Sequence, residues 1–202
     1  MTSARQRLLD ATVDHVAAHG IGDLSLRQLA AALGTSHRML VYHFGSKDGL
    51  LVEVVRTVEE RQRQALAELA ADPDLPLPEQ ARRLWRRLAD PALWPHERLF
   101  FELYGQALQG RPHTTALLDG IVDSWLKPLT DLWVAHGVPA GTARATARLG
   151  VAVTRGLLLD LLATGDRDGV DEAMELFIAG YERQADEAGY ERQADGPDAT
   201  SP

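Results

Sequence analysis

Gly34 divides residues 25 to 44, SLRQLAAALGTSHRMLVYHF, into two segments of similar design, and that division constrains the fold more than any other feature of the chain. Ser25 is a good helix N-cap, and Leu26, Leu29, Ala30 and Leu33 follow at spacings that line one helical face. Gly34 interrupts the pattern where a helix ends, because glycine alone takes left-handed backbone angles without strain. Ser36 then caps a second segment whose Leu40, His43 and Phe44 recur at i, i+3 and i+4. Two helices of about two turns each, joined by a three- to four-residue turn with glycine, form the pattern of a DNA-binding helix–turn–helix. Ordinary helical hairpins share this outline, so the spacing alone leaves both readings open.

The longer run from Leu26 to Leu51, LRQLAAALGTSHRMLVYHFGSKDGLL, resembles the signature of the TetR family of transcriptional regulators. In that family an Ala-Gly-x-Ser turn precedes a short recognition helix that ends in an aromatic-His/Tyr-Phe run before Ser-Lys-Glu/Asp. Gly34, Ser36, Leu40, Tyr42, His43, Phe44, Ser46, Lys47, Leu50 and Leu51 stand in the matching places. Val41 replaces a tyrosine that usually touches DNA, and Arg38 replaces a small residue. The resemblance implies a homodimeric, ligand-responsive regulator, most often a repressor.

Docking of the second helix in a major groove would set His37, Arg38 and Met39, near its start, against base edges. Ser25, Gln28, Thr35, Ser36, Tyr42 and Lys47 would then hold phosphates and fix the register. The net charge of −8 argues at first against nucleic acid, but its distribution answers the objection. Residues 1 to 50 hold five Lys and Arg against four Asp, a net +1, which leaves −9 for the remainder. An acidic body behind a neutral-to-basic head suits a site-specific binder better than a nonspecific coat.

In chain order, residues 4 to 19 predict an amphipathic helix with Leu8, Leu9, Thr12, Val13 and Val16 on one side, closed by Gly20. Ser46 caps a long helix over 47 to 70. Three prolines between 72 and 78 break the pattern. Helical spacing resumes through Ala81, Leu84, Trp85 and Leu88, then through Trp94, Phe101, Tyr104 and Leu108. A further helix is expected over 113 to 136, kinked at Pro128. The segment 143 to 163 is apolar nearly all round and must be covered on both sides. A last helix begins near Asp168 with the stripe Val170, Ala173, Met174, Phe177, Ile178 and Tyr181. No stretch alternates as a strand, so the fold is read as all-α with about nine helices. The domains are read as a helix–turn–helix head over 1–46, a ligand-binding and dimerisation bundle over 47–188, and a disordered tail over 189–202. GYERQAD occurs at 180–186 and again at 189–195, too short a repeat for a solenoid.

In the resembling family the last two long helices pair with their symmetry mates as a four-helix bundle. The small Ala152 and Gly156, with Met174, Phe177, Ile178 and Tyr181, are the residues this chain offers for such a seam. All four tryptophans lie between 85 and 133. Trp85, Phe101, Tyr104, Trp125 and Trp133 could wall a ligand cavity with Arg155 as its polar group, although aromatic residues at helical spacing also serve as plain core. Without cysteine, disulfides and thiolate metal sites are excluded. No apolar run approaches membrane-spanning length and no signal peptide is visible, so a cytoplasmic location is expected. No phosphate loop, nucleophile elbow or His-Glu-x-x-His motif is present, which argues against an enzyme, and no cofactor is expected. The alternatives are a helical small-molecule enzyme or a scaffold without a DNA role.

Overall fold

The computed structural model describes residues 3–20, 24–72 and 74–194, with backbone alone over 181–194. Nine α-helices follow one another, and no strand occurs among the described residues. They are α1 (Ala4–His19), α2 (Leu26–Ala32), α3 (His37–Phe44), α4 (Lys47–Ala70), α5 (Leu77–Leu88), α6 (Trp94–Leu108), α7 (Asp123–Ala135), α8 (Ala140–Thr164) and α9 (Arg167–Ala194). Short 3-10 turns lie at Pro91–Leu93 and Thr115–Leu118. The bounds of α1 and α4 coincide with those read from periodicity and caps.

The chain divides into two compact units. The first comprises Met1–Glu68 and Arg87–Ser124, and its core is one continuous cluster. Leu9, Val13 and Val16 of α1, Leu29 of α2, Leu40 of α3 and Leu50 to Val58 of α4 contribute to it. So do Leu99, Phe100 and Leu103 of α6, and Leu117 of the second 3-10 turn. Helices α1 to α3 therefore do not close a core of their own. They share it with α6, which packs against α1.

The second unit comprises Leu69–Arg86 and Trp125–Pro202. Helices α8 and α9 pack together, burying Ala143, Ala147, Val151, Leu158 and Leu161 of the former and Val170, Met174 and Ile178 of the latter. Trp85 of α5 is 5% exposed, and its indole N–H donates to Asp171 Oδ1 at 2.6 Å. Asp171 Oδ2 accepts from Arg167 at 2.7 Å, and Arg82 pairs with Glu175 at 2.8 Å. These polar links tie α5 to α9.

The expected helix over 113–136 is a correction. Gly120 sits at φ +72° and divides it into the 3-10 turn and α7. A left-handed residue cannot continue a right-handed helix, and the apolar spacing runs on across the break. Pro128 does lie inside α7, as read. At the other end, α9 stays helical to Ala194, past the expected start of the tail at 189. Glu, Arg, Gln and Ala dominate that stretch and are among the better helix formers. Residues 195–202 of the expected tail lie outside the described residues.

Candidate nucleic-acid interface

The geometry of α2 and α3 follows from local chemistry. Ser25 and Gln28 form a reciprocal capping box: Ser25 Oγ accepts from the Gln28 N–H at 3.3 Å, and Gln28 Oε1 accepts from the Ser25 N–H at 2.8 Å. At the other end of α2, Gly34 at φ +65° closes the helix with two bonds. Its N–H donates to Ala31 O at 3.1 Å, and that of Thr35 to Ala30 O at 2.9 Å. Ser36 Oγ accepts from Met39 N–H at 3.2 Å and starts α3. Gly45 at φ +77° ends it, and Ser46 Oγ takes the Gly49 N–H at 2.9 Å to start α4. The turn angles are thus set by glycine positions and hydroxyl caps.

Helix α3 is eight residues long and completely buries a single side chain, Leu40. His43 and Phe44 are half-buried beside it. His37, Arg38, Met39, Val41 and Tyr42 are exposed, Tyr42 most of all at 79%. An isolated protein gains nothing by leaving Met39, Val41 and Tyr42 in water on one short helix. The sequence-derived set is distributed accordingly. Ser25, Gln28, Ser36, His37, Arg38, Met39 and Tyr42 are exposed, while Thr35 and Lys47 are half-buried. Ser25, Gln28 and Ser36 carry capping duties in addition.

Arg27 was missed by the sequence reading. It is exposed in the first turn of α2 and, like Arg38 and Lys47, makes no ion pair among the described residues. A cation at a helix N-terminus opposes the helix dipole, so Arg27 does nothing for α2 itself. That mismatch was legible in the sequence.

Behind this surface, His96 of α6 is 6% exposed and its Nε2 lies 3.0 Å from Val13 O in α1. A carbonyl only accepts, so Nε2 carries the hydrogen and Nδ1 is a bare acceptor. Nδ1 is buried with no partner among the described residues. Burial lowers the pKa of this imidazole below its usual value, helped by the charge of Arg61, against the Val13 bond and Asp14, which raise it.

The residues read as a ligand cavity are split between the units. Phe101 and Tyr104 lie in the first, half-buried against its core, with the Tyr104 ring stacked on Phe100 at 5.4 Å. Trp85, Trp125, Trp133 and Arg155 lie in the second. Trp85 is engaged with Asp171, Trp125 is buried, and Trp133 and Arg155 are half-buried.

Of the residues read as a dimer seam, Met174 and Ile178 are buried at 4% and 2% by packing within the second unit. Phe177 is half-buried, Ala152 and Gly156 are exposed, and the side chain of Tyr181 lies outside the described residues. The free face of α8 is instead a stripe of Ala145, Leu149, Ala152, Gly156, Leu159 and Ala163, spaced alternately four and three residues apart. Leu149 and Leu159 are each 52% exposed, and Leu176 of α9 is 69% exposed. The doubly apolar character of α8 predicted such a second face.

A glycine-closed helix pair whose second helix leaves a polar and aromatic face in water has the geometry of a helix–turn–helix. Comparison with known proteins specifies it further. Residues 8–54 match the family described as bacterial regulatory proteins, tetR family. The chain is 26% identical over 180 residues to the HTH-type transcriptional regulator SrpR of Pseudomonas putida, covering 87% of this chain and 81% of that one. It is 30% identical to the multidrug binding protein EbrR, solved in complex with proflavin, with a TM-score of 0.60 and coverage of 86% and 97%. It is 28% identical to a TetR family member from Streptomyces coelicolor A3, with a TM-score of 0.60 and coverage of 86% and 96%. The chain belongs to the TetR family and is a DNA-binding transcriptional regulator of that type.

Proposed function

We propose that this regulator is a homodimeric repressor that binds a palindromic operator and releases it when a small apolar molecule binds. Helix α3 lies in the major groove, with His37, Arg38 and Met39 at base edges. Thr35, Ser36, Tyr42 and Lys47 hold phosphates alongside Ser25 and Gln28, and Arg27 extends that set. The observation that carries this reading is the exposed face of α3, with His37, Arg38, Met39, Val41 and Tyr42 outside and Leu40 alone completely inside.

Two copies pair through the α8 stripe centred on Ala152 and Gly156, with Leu149, Leu159 and Leu176 flanking it. Small residues let two helices approach closely, and the leucines supply apolar area. The effector is an apolar aromatic compound, neutral or cationic, held within the second unit among Trp85, Trp125 and Trp133 with Arg155 as a polar group. The binding of proflavin by EbrR supports that ligand class, and the acidic body of this chain favours it electrostatically. No helix among the described residues is long and apolar enough to cross a membrane, and we place the regulator in the cytoplasm.

Selection of bound duplexes from a random pool, using the full chain, tests the reading. It predicts one enriched inverted repeat with a guanine in each half-site opposite Arg38. Recovery of the pool without enrichment would overturn it.

A further inference from the structure

Arg5 opens α1, far in sequence from the helix–turn–helix, yet its side chain lies against the end of α3. Its guanidinium carbon stands 5.0 Å from the centroid of the Phe44 ring. Its Nη2 donates to Glu53 Oε2 of α4 at 2.9 Å. Glu53 is held from its other side as well. Its Oε1 lies 3.8 Å from Nη1 of Arg56, and Nη2 of Arg56 donates to the carbonyl of Ala116 in the second 3-10 turn. A line of contacts therefore runs from that turn through Arg56, Glu53 and Arg5 to the last residue of α3, all within the first unit.

Helix α3 needs such support. Its inward contacts are Leu40, His43 and Phe44, and the last two are only half-buried. Immediately after Phe44 the chain turns through Gly45 at φ +77°. Rotation of so short a helix about its own axis would swing every exposed side chain away from its base. A planar guanidinium over Phe44, fixed in place by Glu53, resists that rotation. It also sets a cation by the C-terminus of α3, where the helix dipole favours one.

We propose that Arg5 is a positioning residue for sequence-specific DNA recognition, with Glu53 as its anchor, rather than a phosphate contact. The pair is half-buried but open to solvent, with side-chain accessibilities of 42% and 31%. Exposed pairs contribute little to folding stability, so the effect falls on the orientation of α3 rather than on the fold. The proposal rests on the reading of α3 as the base-reading helix. If that reading fails, the wild-type protein itself shows no sequence preference.

The test uses the full chain, the duplex it selects from a random pool, and an unrelated duplex, titrated across a range of salt. Arg5→Ala should weaken binding to the selected duplex about tenfold while the salt dependence keeps its slope. Affinity for the unrelated duplex should stay within about twofold, because neutralised phosphates set both of those quantities. Glu53→Gln should weaken selected binding in the same way, although it removes a negative charge from the DNA-binding unit. Arg5→Lys keeps the ion pair but loses the flat face over Phe44 and should fall between wild type and Arg5→Ala. If Arg5→Ala does not fold, Glu53→Gln and Arg5→Lys carry the same test. A slope flattened by about 0.9 with Arg5→Ala, together with Glu53→Gln binding as well as wild type or better, would make Arg5 a phosphate contact and overturn the proposal. Unchanged binding in all three variants would overturn it too.

Discussion

His96 presents one ring nitrogen to the Val13 carbonyl and buries the other without a partner. Protonation would place a second N–H where no acceptor waits, and burial already holds the pKa below its ordinary value of 6.5. The unfolded chain therefore takes up this proton at a higher pH than the folded chain. Its contribution to stability is complete above about pH 6.5 and is lost as the pH falls from there toward the folded pKa. Thermal unfolding followed from pH 7.5 to 5.5 should show His96→Gln losing less stability on acidification than wild type. A parallel decline would remove His96 as the cause. At the interface, Arg38→Ala should cost roughly 1–3 kcal/mol of operator affinity and relax preference at one base pair. Lys47→Ala should instead weaken binding to all duplexes alike and flatten the salt dependence. Both follow from fluorescence titrations of matched and single-mismatch duplexes, and wild-type preference in Arg38→Ala would reassign the base reader.

At the scale of elements, α1 and the helix–turn–helix were legible because cap, apolar stripe and glycine stop agree in each, and α4 because its Ser46 cap and apolar stripe run up to a proline-rich break. Gly34→Val tests the turn. Nothing lies within 4 Å of a Cβ built there, so the cost is conformational, about 1–2 kcal/mol or more for a β-branched residue held left-handed. A fall in the thermal midpoint is expected, and an unchanged midpoint would show that the turn tolerates another path. Elsewhere periodicity misled. Apolar spacing carried one helix across Gly120, because a period says nothing of a backbone reversal between two segments that happen to stay in phase. The family resemblance likewise offered Met174 and Ile178 to a partner, and packing within the protomer already buries both. Periodicity identifies a face that must be buried and leaves open which surface buries it. Among the interface residues, the exposed side of α3 was readable, while the bracing of Phe44 by Arg5 joins residues too distant in sequence for any local pattern. Leu159→Asp should leave the protomer folded, since the side chain is half in water already, and should dissociate the dimer in light scattering. A dimer that survives would move the seam off α8.

For the molecule as a whole, regulation requires that effector and operator oppose one another. Reciprocity makes this quantitative: the factor by which effector weakens operator binding must equal the factor by which operator weakens effector binding, typically about 5–150-fold. Calorimetric titration of an effector, with and without operator, would show equal affinities if the two sites are uncoupled. The central claim is simpler, that two identical heads read two half-sites on one face of a duplex. It is tested most directly by comparing the selected inverted repeat with the same duplex carrying about five extra base pairs between its halves. That insertion rotates one half-site about half a helical turn away from the other. Because the second head then binds with no gain from the first, affinity should fall about 100-fold or more while binding to unrelated DNA stays the same. Equal affinity for the two duplexes would contradict the account.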